Sequence, residues 1–454
     1  MLGVRLLCRP SSRGKRPATR LSGVTGRGLS KEYKEYPTSV QDLAKGWGRW
    51  ATPDGGGGSD GAALRDIYAV DMKFARCRVG ADLVAAYGVA QESVQEVVTL
   101  SNLASGEQAV FNVSRNRKPQ TFIARGASLR PSGDDTAGVE VTARDFDPTR
   151  AGKRCDFCDP LRFTATDEFG RFETAHVMTA SNLFKCAGQH GLILFRRHEP
   201  LGHTWEEVED MFKAFEWWVD KAIVAASGSG CMHFYPMLVW NVLPRAGASQ
   251  YHGHAQAMLT ESVPPAIHRW SVLRRDAGLS IVAGHGPEMG FEGQSISTDY
   301  LECMMRAHRR VGLAREVLSP PAGGGGKAPG KMTGPPAHVW ASMTPVQDME
   351  LVVYCKEDGV NFRRAFFAAL NTLTCEMGVL TYNAAVYPLA PVSRAGEMHG
   401  GRGPTVARFV QRGNMTSAAS DYGSLEVFCG TKVARTDPFT LVAALDNVLA
   451  EMRG

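Results

Sequence analysis

Tyr251-His252-Gly253-His254-Ala255-Gln256-Ala257-Met258 alternates polar and small or apolar residues, the period-two pattern of a β-strand with one face turned to the core. His252, His254 and Gln256 then project from a single face, enough to build a small active site. The residues leading in, Asn241-Val242-Leu243-Pro244-Arg245-Ala246-Gly247-Ala248-Ser249-Gln250, leave a strand, turn at Pro244 and Gly247, and return into the histidine pair. A tight loop carrying Gly247 and Ser249 suits close approach of the backbone to a phosphate.

Around this strand the chain reads as alternating strands and helices. Gly191 to Phe195 is a short apolar strand. Thr204 and Glu207 form a capping-box pattern that opens a helix, whose Val208, Met211, Phe212, Phe215, Trp218 and Val219 recur at helical spacing. His233 to Leu243 is the next strand. The C-terminal half repeats the order: strands at His338 to Ser342 and Met349 to Cys355, a helix from Asn361 to Glu376, and strands at Val379 to Tyr387 and Val406 to Gln411. Asp437-Pro438 opens a last helix with Asp as N-cap and Pro at the first helical position. Gly-rich stretches at 54–61 and 319–336 read as linkers or surface insertions.

At 454 residues, 44% hydrophobic and 21% charged, the chain has the composition of a globular protein with a sizeable core. It contains no apolar run of membrane-spanning length. The net charge of +5 gives little reason to expect a nucleic-acid partner, because Arg5, Arg9, Arg13, Lys15, Arg16, Arg20, Arg27 and Lys31 precede the first acidic residue. That start reads either as an organelle transit peptide or as a disordered basic tail. The expected location is accordingly the cytoplasm, or a mitochondrion or plastid if the basic segment is a targeting signal. The ten cysteines are scattered, which argues against a disulfide framework and for a reducing compartment. Only Cys155 and Cys158 are closely paired. Taken alone, that pair reads as metal ligands, a redox couple or two buried thiols.

The His-x-His-x-Gln pattern, with Asn241 and Ser249 preceding His252 by eleven and three positions, resembles the transferase branch of the histidine-triad superfamily. Its members include galactose-1-phosphate uridylyltransferase, and the Gly-Ala-Ser-Gln-x-His-x-His-x-Gln wording is similar to dinucleoside-polyphosphate phosphorylases. The resemblance implies an α+β fold of two histidine-triad-like halves, each an antiparallel sheet with packed helices. The expected division is a basic tail over 1–61, a catalytic zinc-bearing half over 62–272, and a degenerate half over 273–454 containing the insertion at 319–336. It also implies a zinc ion held by Cys155, Cys158, His198 and His252, with His203 as the fallback for His198. The metal would be structural, since protein fills all four positions.

In the resembled family the second histidine is the nucleophile, which maps to His254. Neutral imidazole attacks phosphorus well near neutral pH, and the phosphoramidate it forms is reactive enough to turn over. Gln256 replaces the third histidine of the hydrolytic branch. An amide binds phosphate oxygens without shuttling protons, which favours transfer to an acceptor that is already an anion. Ser249 would help position phosphate, Asn182 and Asn241 the nucleoside end, and Gly247 would leave room for the diphosphate. In Asn182-Leu183-Phe184 the Asn could equally cap a turn. Arg115 and Lys118 match a basic strand end that binds diphosphate or lies solvated at an edge.

The resemblance thins in the second half. Trp270 stands where a second-site Glu is expected, the strand at Val406 to Val410 has no His, and His338 and His399 do not reproduce the pattern. The function expected is ping-pong nucleotidyl transfer, first as UDP-glucose:hexose-1-phosphate uridylyl transfer. Phosphorolysis of a nucleotide sugar or dinucleoside polyphosphate is the alternative, and a catalytically silent nucleotide-binding protein is the rival of another class. Partners would be a nucleotide sugar with a sugar phosphate or inorganic phosphate, with a homodimer compatible.

Overall fold

The computed structural model describes residues 36–52, 59–87, 91–112, 115, 142–229, 231, 233–275, 300–318, 334–393, 404–415, 417 and 419–453. Its frame is one large antiparallel sheet. The strands are β4 (Val177–Ser181), β5 (Gln189–Phe195), β6 (His233–Val242), β7 (His254–Thr260), β8 (Ala314–Val317), β9 (Ala337–Ala341), β10 (Leu351–Cys355), β11 (Tyr382–Pro388) and β13 (Thr405–Gln411), with the short β12 (Val392–Ser393) beside β6. A second, smaller sheet joins β1 (Tyr68–Arg78), β2 (Glu92–Asn102), β3 (Gln108–Phe111) and, from near the C-terminus, β14 (Thr431–Ala434).

The spatial order of the large sheet is β4-β5-β7-β6-β11-β13-β10-β9-β8. The first four strands and the run β9-β10-β13-β11 have the same plan: two strands, a helix, two strands, with the last strand inserted between the others. The fold is α+β, and the two repeats meet edge to edge where β6 pairs with β11, Asn241 opposite Asn383. The antiparallel sheets of the two halves therefore join into one continuous sheet. β14 carries residues of the second half into the small sheet, parallel to β3 of the first. A boundary at 272 falls inside the helix Pro265–Arg275.

The helices follow their sequence signals. Thr204 caps Trp205–Ala225, its hydroxyl accepting from Glu207 N–H while the Glu207 carboxylate accepts from Thr204 N–H. That helix buries Val208, Met211, Phe212, Phe215, Trp218 and Val219. Its counterpart Val360–Asn371 packs beside it, Phe212 meeting Phe362 and Phe366 edge-on. Trp218 lies flat on β5 at Gly191, where a Cβ would come within 2.2 Å of the indole nitrogen. Helices thus cover the Gly191, Ile193, Ala255 and Ala257 face of the first repeat, and the alternate face is left for His254 and Gln256.

The compact part begins earlier than residue 62. Val40–Lys45, Trp47–Ala51 and Ser59–Ile67 are helices, with Val40, Leu43 and Trp50 buried in the core. The Ser39 hydroxyl accepts from Asp42 N–H as an N-cap, and Val40 N–H donates to Asp437 at the start of the last helix. Asp60, read as linker, pairs with Arg306 and Arg309. These few apolar anchors between glycines carry too little periodicity to be visible beforehand. The basic segment to residue 35, and residues 319–333 of the insertion, lie outside the described residues. No helix among the described residues is long and apolar enough to cross a membrane.

Candidate active site and metal centre

β7 starts at His254, two residues after His252, which lies just before the strand. Leu194 of β5 faces His254 and Leu192 faces Gln256, while on the other side Val239 of β6 faces Gln256. Partners across an antiparallel pair share a face, so the two polar side chains stand in an apolar floor of Leu192, Leu194 and Ala180. Phe157, from the loop carrying the cysteines, packs on that floor and meets the rings of His252 and His254 edge-on, with centroids 6.0 and 5.1 Å away. Gly253 separates the two histidines for a steric reason. A Cβ there would lie 3.3 Å from Pro200 Cα and 3.4 Å from Glu199 O, in the loop that brings His198.

Cys155, Cys158, His198 and His252 converge, with all four ligand atoms within 4.8 Å of one another. His252 Nδ1 lies 3.5 Å from each sulfur and 3.3 Å from His198 Nδ1, and His198 Nδ1 lies 3.2 Å from Cys158 Sγ. A tetrahedron with Zn–N about 2.0 Å and Zn–S about 2.3 Å has N–N edges of about 3.3 Å and N–S edges of about 3.5 Å. The donor set and its spacing fit a zinc ion. The far nitrogens are also committed: His252 Nε2–H donates to Phe195 O at 2.6 Å, and His198 Nε2–H donates to Asp147 Oδ1 at 3.2 Å. Each fixes the tautomer that leaves the Nδ1 lone pair for the metal. Burial pushes the His252 ring down to about 4, so it is neutral. Burial and the neighbouring Cys155 sulfur push the Cys158 thiol up to about 11, a direction that a divalent cation between the sulfurs reverses.

The fallback ligand does another job. His203 is buried against Pro200 O and beside Glu207, within the capping turn of the long helix.

His254 is 6% exposed, and its Nδ1–H donates to the His252 carbonyl at 2.9 Å. The lone pair therefore sits on Nε2. Burial lowers the affinity of this ring for a second proton, keeping the imidazole neutral. Gln256 is half-buried, its Oε1 2.8 Å from His190 Nε2. Asn182 lies at the same corner, with Nδ2 3.1 Å from His190 Nε2 and Oδ1 accepting from Phe184 N–H. Asn182 thus caps a turn, and its side chain lies beside the His190 ring that also contacts Gln256.

The other candidates are placed as follows. Asn241 follows Val239 by two along β6, and its Oδ1 accepts from Asn383 Nδ2 at 2.6 Å. Gly247 is left-handed at φ 88°, as a tight turn there requires, and Ser249 is exposed in the same loop. Arg115 is exposed just beyond β3 of the small sheet, and among the described residues no hydrogen bond or ion pair ties it to the surroundings of His254. Lys118 lies outside the described residues, as does His399. In the second repeat the counterpart of β7 is β13, which carries Arg408, bonded to buried Glu350 at 2.6 Å and near Glu107. Trp270 is buried under that guanidinium, 4.9 Å from it. Among the described residues the Cys155 group is the one Cys/His cluster with metal-binding spacing.

Sequence reasoning missed Asp147, Phe157, His190 and Asn383. The Asp147-Pro148 pair marks a turn start but not a carboxylate behind a ligand, and His190 reads merely as the residue before an apolar strand.

No family model and no curated protein matches the chain. Among solved structures it is similar to an ADP-glucose phosphorylase from Arabidopsis thaliana with bound ADP-glucose, at 13% identity and TM-score 0.46, over 76% of this chain and 95% of that one. A GalT-like protein from Arabidopsis thaliana is similar at 14% identity and TM-score 0.42, over 64% and 91%. A yeast Ap4A phosphorylase in complex with Ap4A is similar at 13% identity and TM-score 0.28, over 82% and 92%.

Proposed function

We propose that the protein is a nucleotidyltransferase working in two half-reactions through a nucleotidyl-His254 intermediate, taking a nucleoside monophosphate from a nucleotide sugar such as UDP-glucose and giving it to a hexose 1-phosphate. The observation that carries this is the state of His254: neutral, its Nδ1–H fixed on the His252 carbonyl, its Nε2 lone pair on the face shared with Gln256. In the first half-reaction Nε2 forms a bond to the α-phosphorus, and the bond from that phosphorus to the bridging oxygen breaks. The sugar 1-phosphate leaves with the electron pair. The Nδ1–H bond to the carbonyl spreads the positive charge that develops on the ring. In the second, an acceptor phosphate oxygen attacks the same phosphorus and the P–N bond breaks, returning the pair to Nε2.

Gln256 supports transfer over hydrolysis because an amide offers a hydrogen bond to phosphate oxygen but does not take a proton from water. Ser249 and the Gly247 turn would hold phosphate, Asn182 and Asn241 the nucleoside, and Arg115 with Lys118 would add charge to the diphosphate. Zinc bound by Cys155, Cys158, His198 and His252 would supply no chemistry to the substrate. Those four residues lock the Phe157 loop and the entry to β7 in place, and with them the orientation of His254.

Phosphorolysis of a nucleotide sugar or dinucleoside polyphosphate is a second reading, favoured by the Gly-Ala-Ser-Gln-x-His-x-His-x-Gln wording around His254 and by the strand Val406 to Val410 having no His. UDP-glucose, ADP-glucose and diadenosine tetraphosphate labelled at the α-phosphorus separate the readings. Wild type should form an acid-labile protein adduct that His254→Asn, with metal content unchanged, does not. Discharge by hexose 1-phosphate supports the first reading, discharge by inorganic phosphate the second. Absence of an adduct with every donor would leave a nucleotide-binding protein without this chemistry.

A further inference from the structure

His190 is a buried imidazole, 2% exposed, on the same face of β5 as Leu192 and Leu194 and hence on the face that bears Gln256. Its two ring nitrogens have different neighbours. Nδ1 accepts from the backbone N–H of Cys186 at 3.2 Å, with the Cys186 sulfur 3.5 Å away. A backbone amide cannot be turned around, so Nδ1 carries the lone pair and the proton of the neutral ring is on Nε2. That nitrogen is 2.8 Å from Gln256 Oε1 and 3.1 Å from Asn182 Nδ2. Asn182 is held in its orientation by Phe184 N–H on Oδ1, which leaves Gln256 Oε1 as the acceptor for the imidazole proton. Burial holds the ring below the ordinary histidine range, in line with a neutral donor.

We propose that His190 is a positioning residue: its Nε2–H grips the carbonyl oxygen of Gln256 and so directs the Gln256 NH2 group at the phosphate oxygens of the nucleotide bound by His254. This rests on the nucleotidyl-transfer reading above. A carboxamide without such a grip turns freely by half a revolution, and in the wrong orientation it sets its own oxygen against the phosphate. The chain from Cys186 N–H through the imidazole to the amide removes that choice. Asn182 Nδ2, also a donor, makes no bond to that protonated nitrogen and only packs beside it, held in place by Phe184 N–H instead.

Two measurements test this. Nitrogen-15 NMR of the histidine rings, with the His190 signals identified by their loss in His190→Asn, should show Nε2 protonated and Nδ1 bare at pH 7. The opposite tautomer overturns the proposal. Adduct formation with α-labelled UDP-glucose or ADP-glucose should be about tenfold slower in His190→Asn, the size of one hydrogen bond to a phosphate-binding group. It should largely recover in His190→Gln, whose amide nitrogen reaches the Nε2 position. In a Gln256→Ala background His190→Asn should bring no further loss, because both residues act through the same contact. A full additional tenfold loss there, or an unaffected rate in the single variant, overturns it. Should His190→Asn fail to fold, His190→Gln and the wild-type tautomer still decide. If wild type forms no adduct, the transferase reading falls and the tautomer measurement alone judges the grip on Gln256.

Discussion

At the scale of single residues, the atoms behind the four side chains that could hold a metal decide as much as those side chains do. Asp147 accepts from His198 Nε2–H and also caps the turn at Thr149. Asp147→Asn keeps an oxygen for the turn but removes the carboxylate that makes His198 a stronger donor. Zinc affinity, measured by competition with a chelator, should fall by about tenfold to a hundredfold; an unchanged affinity would remove Asp147 from the metal centre. His308 gives a separate, pH-dependent prediction. It is wholly buried, donates from Nδ1 to Met304 O and accepts at Nε2 from Met343 N–H, and burial pushes it down to about 4. Because the folded ring resists protonation, its contribution is complete above the unfolded value of about 6.5 and is lost as pH falls from there toward 4. The loss is about 3 kcal/mol at most over that window. Urea titrations of wild type and His308→Gln at pH 7.5, 5.5 and 4.5 should converge as the pH drops; parallel curves would contradict this account.

At the scale of elements, the strand and helix around His254 are held in register by close approach between backbone and indole. Trp218 is fixed over Gly191 by its Nε1–H bond to Asp167 at 2.9 Å, so it cannot move aside for a methyl group. Gly191→Ala should destabilise the fold by about 3 kcal/mol by overpacking, read as a shift in the urea midpoint with the slope unchanged. A midpoint within error of wild type would mean that the helix slides freely on the sheet. These elements were also the legible ones. Thr204 and Glu207 mark the helix start because capping is local chemistry, and the apolar runs of β5 and β10 mark strands because both faces are covered. The Cys155, Cys158, His198 and His252 set was reached through the family resemblance, since nothing local in a CxxC says which histidines fold onto it. His190 and Asn383 act through partners 66 and 142 positions distant, and such pairings belong to topology alone.

At the scale of the whole molecule, the question is what the second repeat contributes, having no histidine pair of its own. Its reach toward the loop before His252 runs through the β6 and β11 junction. Asn383 Nδ2 donates to Asn241 Oδ1 and to Ala246 O at the start of the loop that carries Gly247. Asn383 Oδ1 in turn accepts from Arg412, and Arg412 is anchored by Asp421, which also accepts from Gln347. Arg245, in the same loop, donates to the carbonyls of Arg412, Ser417 and Ala419. The loop that carries Gly247 and Ser249 is thus pinned at its β6 end, through Arg245 and Ala246, by residues of the second repeat, and Asn241 is oriented by one of them. Asn383→Ala removes the donor without touching the metal ligands or His254. The nucleotide-sugar KM should rise by about tenfold, for one lost hydrogen bond that orients a substrate contact, while the adduct rate at saturation changes little. Metal content should stay the same, because Cys155, Cys158 and His198 come from the Phe157 loop and the loop after β5, on the other side of β7 from this junction. A variant with wild-type KM would reduce the second repeat to a scaffold for the sheet. One that instead lost metal would show that the junction holds the entire first repeat together, and the assignment of Asn241 to substrate would go with it.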